Sequence, residues 1–287
     1  MSQPIIITDL DNTVYNWVDY FAPSFRAMVH AIARQTKIGE EDILADFKNV
    51  YEKHGSLEYS FSVQELDLVK HMNPEDVREL IRIAKAAFSV TRQKHLAPYP
   101  GVKETLVWAR KNGVRVIGVT NAPIFQARQR LRRLNIDIFF YGLAGWEGHQ
   151  IREDEWTEDI RKQVEDGGYA ARIEKLWPLK HDDLKPNPVG YLMIIDTLKV
   201  SHKNTYVIGD SLAKDVAPAI DIGAVGIWAK YGLDFDKKNF DTLLKITHWD
   251  SNKVASVYNE RLTNPNHTVS SFAELSSIVK PDQMSLF

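Results

Sequence analysis

The chain alternates short β-branched runs with longer stretches in which apolar residues recur every third or fourth position. Ile5, Ile6 and Ile7 form such a run, stopped by Thr8-Asp9-Leu10-Asp11-Asn12, and read as a strand buried on both faces. The pattern then changes. Trp17, Phe21, Phe25, Met28 and Ile32 share one helical face, and Ile43, Phe47 and Val50 another. Asn73-Pro74-Glu75-Asp76 offers a cap, a first-turn proline and two acids suited to a helix N-terminus. Val77, Leu80, Ile81, Ala84 and Phe88 follow on one face.

After Pro98-Tyr99-Pro100-Gly101 the two patterns interleave. Val102, Leu106 and Ala109 predict a helix stopped by Gly113, and Val114 to Val119 a strand ending at Thr120-Asn121. Ile124, Ala127, Leu131 and Leu134 predict the next helix, and Ile136 to Leu143 a strand. Val189 to Leu198 reads as a helix, Thr205 to Ile208 and Ala224 to Ala229 as strands, and Phe272 to Val279 as a last helix. Such alternation implies an α/β fold, a doubly wound parallel sheet with helices on both faces. Residues 16–98 are too long for a structureless connection and carry helical periodicity throughout, so they read as a smaller helical cap domain. Residues 1–15 and 99–287 then form the core. Within it an acid-rich stretch, about 146–184, with anchors at Trp146, Trp156, Tyr169 and Trp177, reads as a second helical insertion.

Composition narrows the function classes. Of 287 residues 44% are apolar and none is cysteine, which removes disulfide frameworks, thiolate metal sites and cysteine nucleophiles, and fits a cytoplasmic protein. A formal charge of −2 gives no broad basic field, so neither nucleic acid nor membrane is expected as a direct partner. Arg128, Arg130, Arg132 and Arg133 lie opposite the apolar face of their helix and read as a solvated surface. The nine histidines include no pair at zinc-ligand spacing, and there is no Walker loop, GxSxG elbow or GxGxxG.

Asp9, Thr120 and Asp210 fall at the carboxyl ends of three different strands, where open α/β sheets bind ligands. Taken singly, each has a structural reading as a turn, cap or buried hydroxyl. Together, Asp9-Leu10-Asp11-Asn12-Thr13, Thr120-Asn121, Lys185-Pro186 and Gly209-Asp210-Ser211-Leu212-Ala213-Lys214-Asp215 resemble the four ordered motifs of the haloacid dehalogenase-like hydrolases. Tyr99-Pro100-Gly101-Val102 is similar to that family's return from cap to core.

The resemblance implies a Rossmann-like core and a Mg2+-dependent phosphatase hydrolysing a small phosphomonoester. A phosphate ester repels an incoming nucleophile, so the reaction needs a divalent cation and a lysine to offset charge. By that resemblance Asp9 would attack phosphorus and form an aspartyl phosphate, and Asp11 would act as acid, then base. Thr120 and the amides near Asn121 would hold phosphoryl oxygens, and Lys185 would balance charge. Asp9, Asp210 and the backbone carbonyl of Asp11 would ligate magnesium, with Asp215 behind them to hold a magnesium water or brace the loop. The family's dehalogenases lack an acid at the Asp11 position, which favours phosphoryl chemistry. Asn187 departs from the family's usual aspartate, and altered loop packing is expected there. His54, Tyr59 and Phe61 would either face the substrate's leaving group or pack as an inter-helix loop. A phosphotransferase or mutase shares every motif, and a non-catalytic cap-mediated binding protein is the third reading. The ending Gln283-Met284-Ser285-Leu286-Phe287 resembles peptides that dock on a bacterial DNA sliding clamp, through Gln283, Leu286 and Phe287, or folds back on the protein's own surface.

Overall fold

The computed structural model describes residues 3–148, 172–247 and 263–281. In chain order its elements begin with β1 (Ile5–Thr8), α1 (Trp17–Thr36), α2 (Glu40–His54), α3 (Pro74–His95), α4 (Val102–Lys111), β2 (Arg115–Pro123) and α5 (Ile124–Arg133). They continue with β3 (Phe140–Trp146), β4 (Lys175–Leu179), α6 (Val189–Leu198), β5 (Thr205–Gly209), α7 (Ala217–Asp221), β6 (Val225–Ala229), α8 (Lys237–Ile246), β7 (His267–Val269) and α9 (Leu275–Ile278). The chain divides into two compact units. No described helix is long and apolar enough to cross a membrane.

The first unit, residues 1–15, 98–233 and 257–287, is the α/β core. Its strands run in the order β4-β3-β2-β1-β5-β6-β7, all parallel. β1 lies between β2 and β5, with Ile5 paired to Arg115 on one side and Thr205 on the other. A central parallel strand is covered on both faces, which explains its unbroken run of isoleucines, all buried. Ile5 and Ile7 join Ile117, Val119, Val207, Tyr191 and Ile194 in a core beneath α6; alternation sends Ile6 to the opposite face. Strand order reverses at β1, which opens a crevice at the carboxyl ends of β1 and β5. Tyr15 and Pro98, where the chain leaves this unit and returns, bridge each other antiparallel.

Two expectations change here. Asp137–Phe139 is a 3₁₀ turn, so β3 starts at Phe140 rather than Ile136. Residues 175–179 of the supposed helical insertion are instead edge strand β4, with Trp177 and Leu179 buried and Leu176 and Pro178 turned out. Pro178 is tolerated because an edge strand needs no ladder bond on its outer side. Residues 149–171 of that insertion and the tail peptide with Gln283, Leu286 and Phe287 lie outside the described residues. Strand β7 has three residues, too few for periodicity to announce it.

The second unit joins residues 16–97 to 234–256. Asn16 caps α1 by accepting from the Asp19 amide at 2.9 Å, and Asn73 caps α3 through the amides of Glu75 and Asp76. Trp17, Phe21 and Phe25 stack along α1, and Phe25 meets Phe47 of α2 edge-on at 5.0 Å. With residues 99–287 expected in the core, 234–256 would belong there too, yet α8 packs on α1 and α2. Arg26 donates to Thr242 at 2.8 Å and to Asn239 at 2.7 Å, while Asp19 accepts from the Asp236 and Asn239 nitrogens. His54 and Tyr59 stack with centroids 3.6 Å apart, Phe61 meets Tyr59 edge-on, and Glu65 takes hydrogen bonds from the Tyr59 hydroxyl and His54 Nε2. These three aromatic residues are therefore engaged with one another inside the inter-helix segment.

Candidate active site

β1 ends at Thr8, and Asp9 stays in register by donating its amide to the Ile208 carbonyl at 2.8 Å. The chain then turns tightly: Val14 N–H reaches Leu10 O, and Asn12 N–H reaches Tyr15 O. Asn12 supplies the left-handed residue of this turn, with φ 59°, a conformation asparagine tolerates better than most. Asp9 and Asp11 are thus delivered at the crevice by one strand and its turn.

Asp210 follows β5, and a wide turn over Leu212–Val216 swings Asp215 back toward it. Asp215 Oδ2 accepts the Ser211 amide at 3.1 Å. Its carboxyl group rests against Gly209, where any Cβ would overlap it, so the glycine before Asp210 is required by close approach.

Lys185 arrives from the segment between β4 and α6, its backbone gripped by Asn121: Lys185 N–H donates to Asn121 Oδ1 at 2.9 Å, and Asn121 Nδ2 donates to Lys185 O at 2.8 Å. Lys185 Nζ then donates to Asp9 Oδ1 at 2.5 Å and Asp215 Oδ1 at 2.6 Å. Thr120 Oγ1 donates to Asp11 Oδ2 at 3.2 Å and accepts the Ala122 amide at 3.0 Å. All the residues singled out in the sequence, Asp9, Asp11, Thr120, Asn121, Lys185, Asp210 and Asp215, meet in the crevice.

The charges do not balance. Asp9, Asp210 and Asp215 are buried and offer oxygens within 4.8 Å of one another, with Lys185 against two of them. Burial raises Asp9 to about 7, offset in part by Lys185 and reinforced by the Asp215 and Asp11 carboxylates. Burial, with Asp9 and Asp215, also holds Asp210 well above the usual carboxylate range. For Lys185 burial works against the charge, but Asp215 and Asp9 outweigh it and raise the ammonium well above its ordinary value. Three oxygen donors with excess negative charge suit a hard divalent cation. The third carboxylate of the set is that of Asp215; the Asp11 carboxylate faces Thr120 and Arg130 instead.

A prediction follows from the sign of the Asp9 shift. Between its ordinary value near 4 and its folded value of about 7, the folded protein binds more protons than the unfolded chain. Without a cation, this group's contribution to stability therefore falls as pH rises through that window. A divalent cation competes with those protons, so the rise in Tm on adding it should be larger at about pH 8 than at about pH 5.5. Equal rises by scanning calorimetry would contradict the assignment.

A model of haloacid dehalogenase-like hydrolases matches residues 4–223. The chain belongs to that family. Curated relatives include glyceraldehyde 3-phosphate phosphatases of Methanopyrus kandleri, 23% identical over 82% of this chain and 88% of that protein, and of Pyrococcus abyssi, 22% identical over 79% and 82%. Among solved structures, a HAD phosphatase of Thermococcus onnurineus superposes with TM-score 0.54 at 16% identity, covering 97% of this chain and 99% of that one. A 2-haloacid dehalogenase of Pseudomonas syringae pv. Tomato gives TM-score 0.56 at 16% identity, covering 96% and 98%.

Other residues around this hydrolase site make contacts that no local pattern announces. Asn187 Nδ2 donates to Asp182 O at 2.9 Å while its Oδ1 accepts the Val189 amide at 3.1 Å, a pair of roles no ionised aspartate could fill. Trp228 of β6 donates its indole N–H to Asp210 O at 2.9 Å, and the Tyr231 hydroxyl donates to Thr13 O at 2.6 Å. Gly232 packs so closely that a Cβ would overlap the Asn12 carbonyl and crowd Asp210. Arg130, read as solvated, is buried against Tyr15 and Asp11. Arginines on an amphipathic helix give no sequence signal that separates a surface charge from a buried one.

Proposed function

We propose that this hydrolase is a magnesium-dependent phosphatase acting on a small phosphomonoester through a phosphoryl group carried by Asp9. The observation that supports it best is the Asp9 carboxyl group, buried, held through Oδ1 by Lys185 and grouped with Asp210 and Asp215. Asp9, Asp210 and the backbone carbonyl of Asp11 would hold magnesium, with Asp215 beside them in the same acidic group; when bound, the ion would neutralise phosphate charge against the approaching carboxylate. Lys185 fixes the orientation of the nucleophile and adds positive charge. Thr120 Oγ1 and the amides following it hold a phosphoryl oxygen.

Asp9 forms a new bond to phosphorus as the bond from phosphorus to the ester oxygen breaks, and Asp11 gives its proton to the departing alkoxide. Asp11, now a carboxylate, takes a proton from the water that attacks phosphorus. The bond between phosphorus and Asp9 breaks, releasing inorganic phosphate and restoring both carboxyl groups. Glyceraldehyde 3-phosphate, which two curated relatives carry in their names, is a reasonable first substrate to try.

The test is a panel of glyceraldehyde 3-phosphate, phosphoglycolate, a hexose phosphate and a nucleoside monophosphate, each with magnesium and with EDTA. Phosphate release matching alcohol release one for one, and lost on chelation, is expected. Turnover indifferent to EDTA would sink the metal assignment, and phosphate passed to a second hydroxyl with none set free would make the protein a phosphotransferase.

Two substitutions probe the site further. Asp11→Asn should lower kcat/KM by about 10²–10⁴-fold for esters with poor leaving groups and far less for 4-nitrophenyl phosphate. Gly232→Ala pushes on the turn that carries Asp11 and on Asp210, so kcat/KM should fall by about 10²-fold while urea unfolding shows a loss of about 1–3 kcal/mol. Unchanged kinetics would show that the loop after β6 yields without disturbing the site.

A further inference from the structure

Arg130 is a buried cation on a helix whose sequence reads as a solvated face. A buried guanidinium needs an opposite charge close by, and here one turn supplies both that charge and a hydroxyl acceptor. Arg130 Nε donates to the Tyr15 hydroxyl at 2.9 Å, its guanidinium carbon lies 5.7 Å from the Tyr15 ring centroid, and Nη2 stands 3.4 Å from Asp11 Oδ1. Tyr15 and Asp11 are bridged through their backbones, and Tyr15 also bridges Pro98, so the hydroxyl that anchors Arg130 is fixed to the turn that carries Asp11. At the other end, α5 starts three residues after Asn121, so the arginine ties that turn to the segment that presents Thr120.

We propose that Arg130, locked by Tyr15, is a positioning residue that holds the Asp11 carboxyl group in place beside the phosphoryl site. The inference rests on the acid role of Asp11 given above. Thr120 holds the opposite Asp11 oxygen, and a bound phosphoryl group draws the Thr120 hydroxyl away. Arg130 is the partner that remains. Its planar fork reaches the tyrosine oxygen and the carboxylate at once, a geometry a lysine ammonium cannot reproduce.

The test compares phenyl phosphate with 4-nitrophenyl phosphate, two esters of similar shape whose leaving groups differ in their need for a proton. The readout is kcat/KM, which reports steps up to departure of the alcohol. Arg130→Met should reduce it by about 10–100-fold for phenyl phosphate and by less than about threefold for 4-nitrophenyl phosphate. Tyr15→Phe, which removes one oxygen atom, should shift the same ratio in the same direction by a smaller factor, and it carries the test if Arg130→Met does not fold. Arg130→Lys should restore the ratio only in part. Added to Asp11→Asn, Arg130→Met should change neither value by more than about twofold, since it acts through a carboxyl group already gone.

Equal losses on both esters, or a full further loss in the Asp11→Asn background, would overturn the positioning role. An Asp11→Asn protein that fails to discriminate between the esters would overturn the acid role itself, a different failure with a different signature.

Discussion

Asp9→Asn will leave a folded protein without turnover. The amide matches the carboxyl group in volume but attacks phosphorus poorly and brings no charge to a cation, so kcat should drop by about 10⁴-fold or more. Its effect on stability runs the other way. Burial holds Asp9 at about 7, which makes the ionised form a burden on the cation-free fold at neutral pH and above. The variant should therefore unfold at the same temperature as wild type, or a higher one, at about pH 8 without metal, and gain less when magnesium is added. Wild-type turnover in Asp9→Asn would end the covalent mechanism. A large loss of Tm at high pH would instead mean that Asp9 is a structural ion-pair partner first.

Lys185→Met is the opposite case. The ammonium touches both Asp9 and Asp215, and its raised value means that its stabilising contribution is present below the ordinary lysine range, across neutral pH, and is lost only as pH climbs through the folded value. Removing it strands buried carboxylates, a change that costs about 3–5 kcal/mol in other buried pairs. The deficit should shrink as pH falls and Asp9 takes up its proton. Magnesium should recover part of the stability but not the rate, which loses both orientation of the nucleophile and a fixed positive charge, about 10³-fold or more. Denaturant titrations at two pH values, with and without magnesium, separate these effects. A stability loss independent of pH would count against the charge argument.

What could be read from the sequence follows from which features are local. The β1 run, its polar turn and the caps Asn16 and Asn73 depend on neighbours within four residues, so periodicity and capping rules reach them. The acidic and basic residues of the site were accessible because strand ends collect in one crevice and because the motifs fall in family order. The rest depends on distant partners. Nothing in Asp234 to Ile246 says that its apolar face belongs with α1 rather than the sheet; that information resides in Arg26, more than two hundred positions earlier. The burial of Arg130 depends on Tyr15, and the demand for glycine at 232 on Asn12. Strand β4 was hidden because a five-residue alternation inside an acidic stretch is outweighed by its surroundings.

The two-piece build of the helical unit also bears on how the chain is made. Its first three helices leave the ribosome early, but α8 follows only after strands β1 to β6 of the core, about 200 residues beyond the end of α1, which at roughly 5–20 residues per second is a delay of about 10–40 s. Throughout that interval the surface of α1 and α2 that later receives Leu243 and Ile246 has no cover of its own, and the central strand β1 likewise waits for β5. Neither unit can close before its late elements, β5 for the one and α8 for the other, have been made, so the newborn chain passes that interval with both units unfinished, and its yield in the cell should depend on chaperone supply more steeply than the stability of the folded protein suggests.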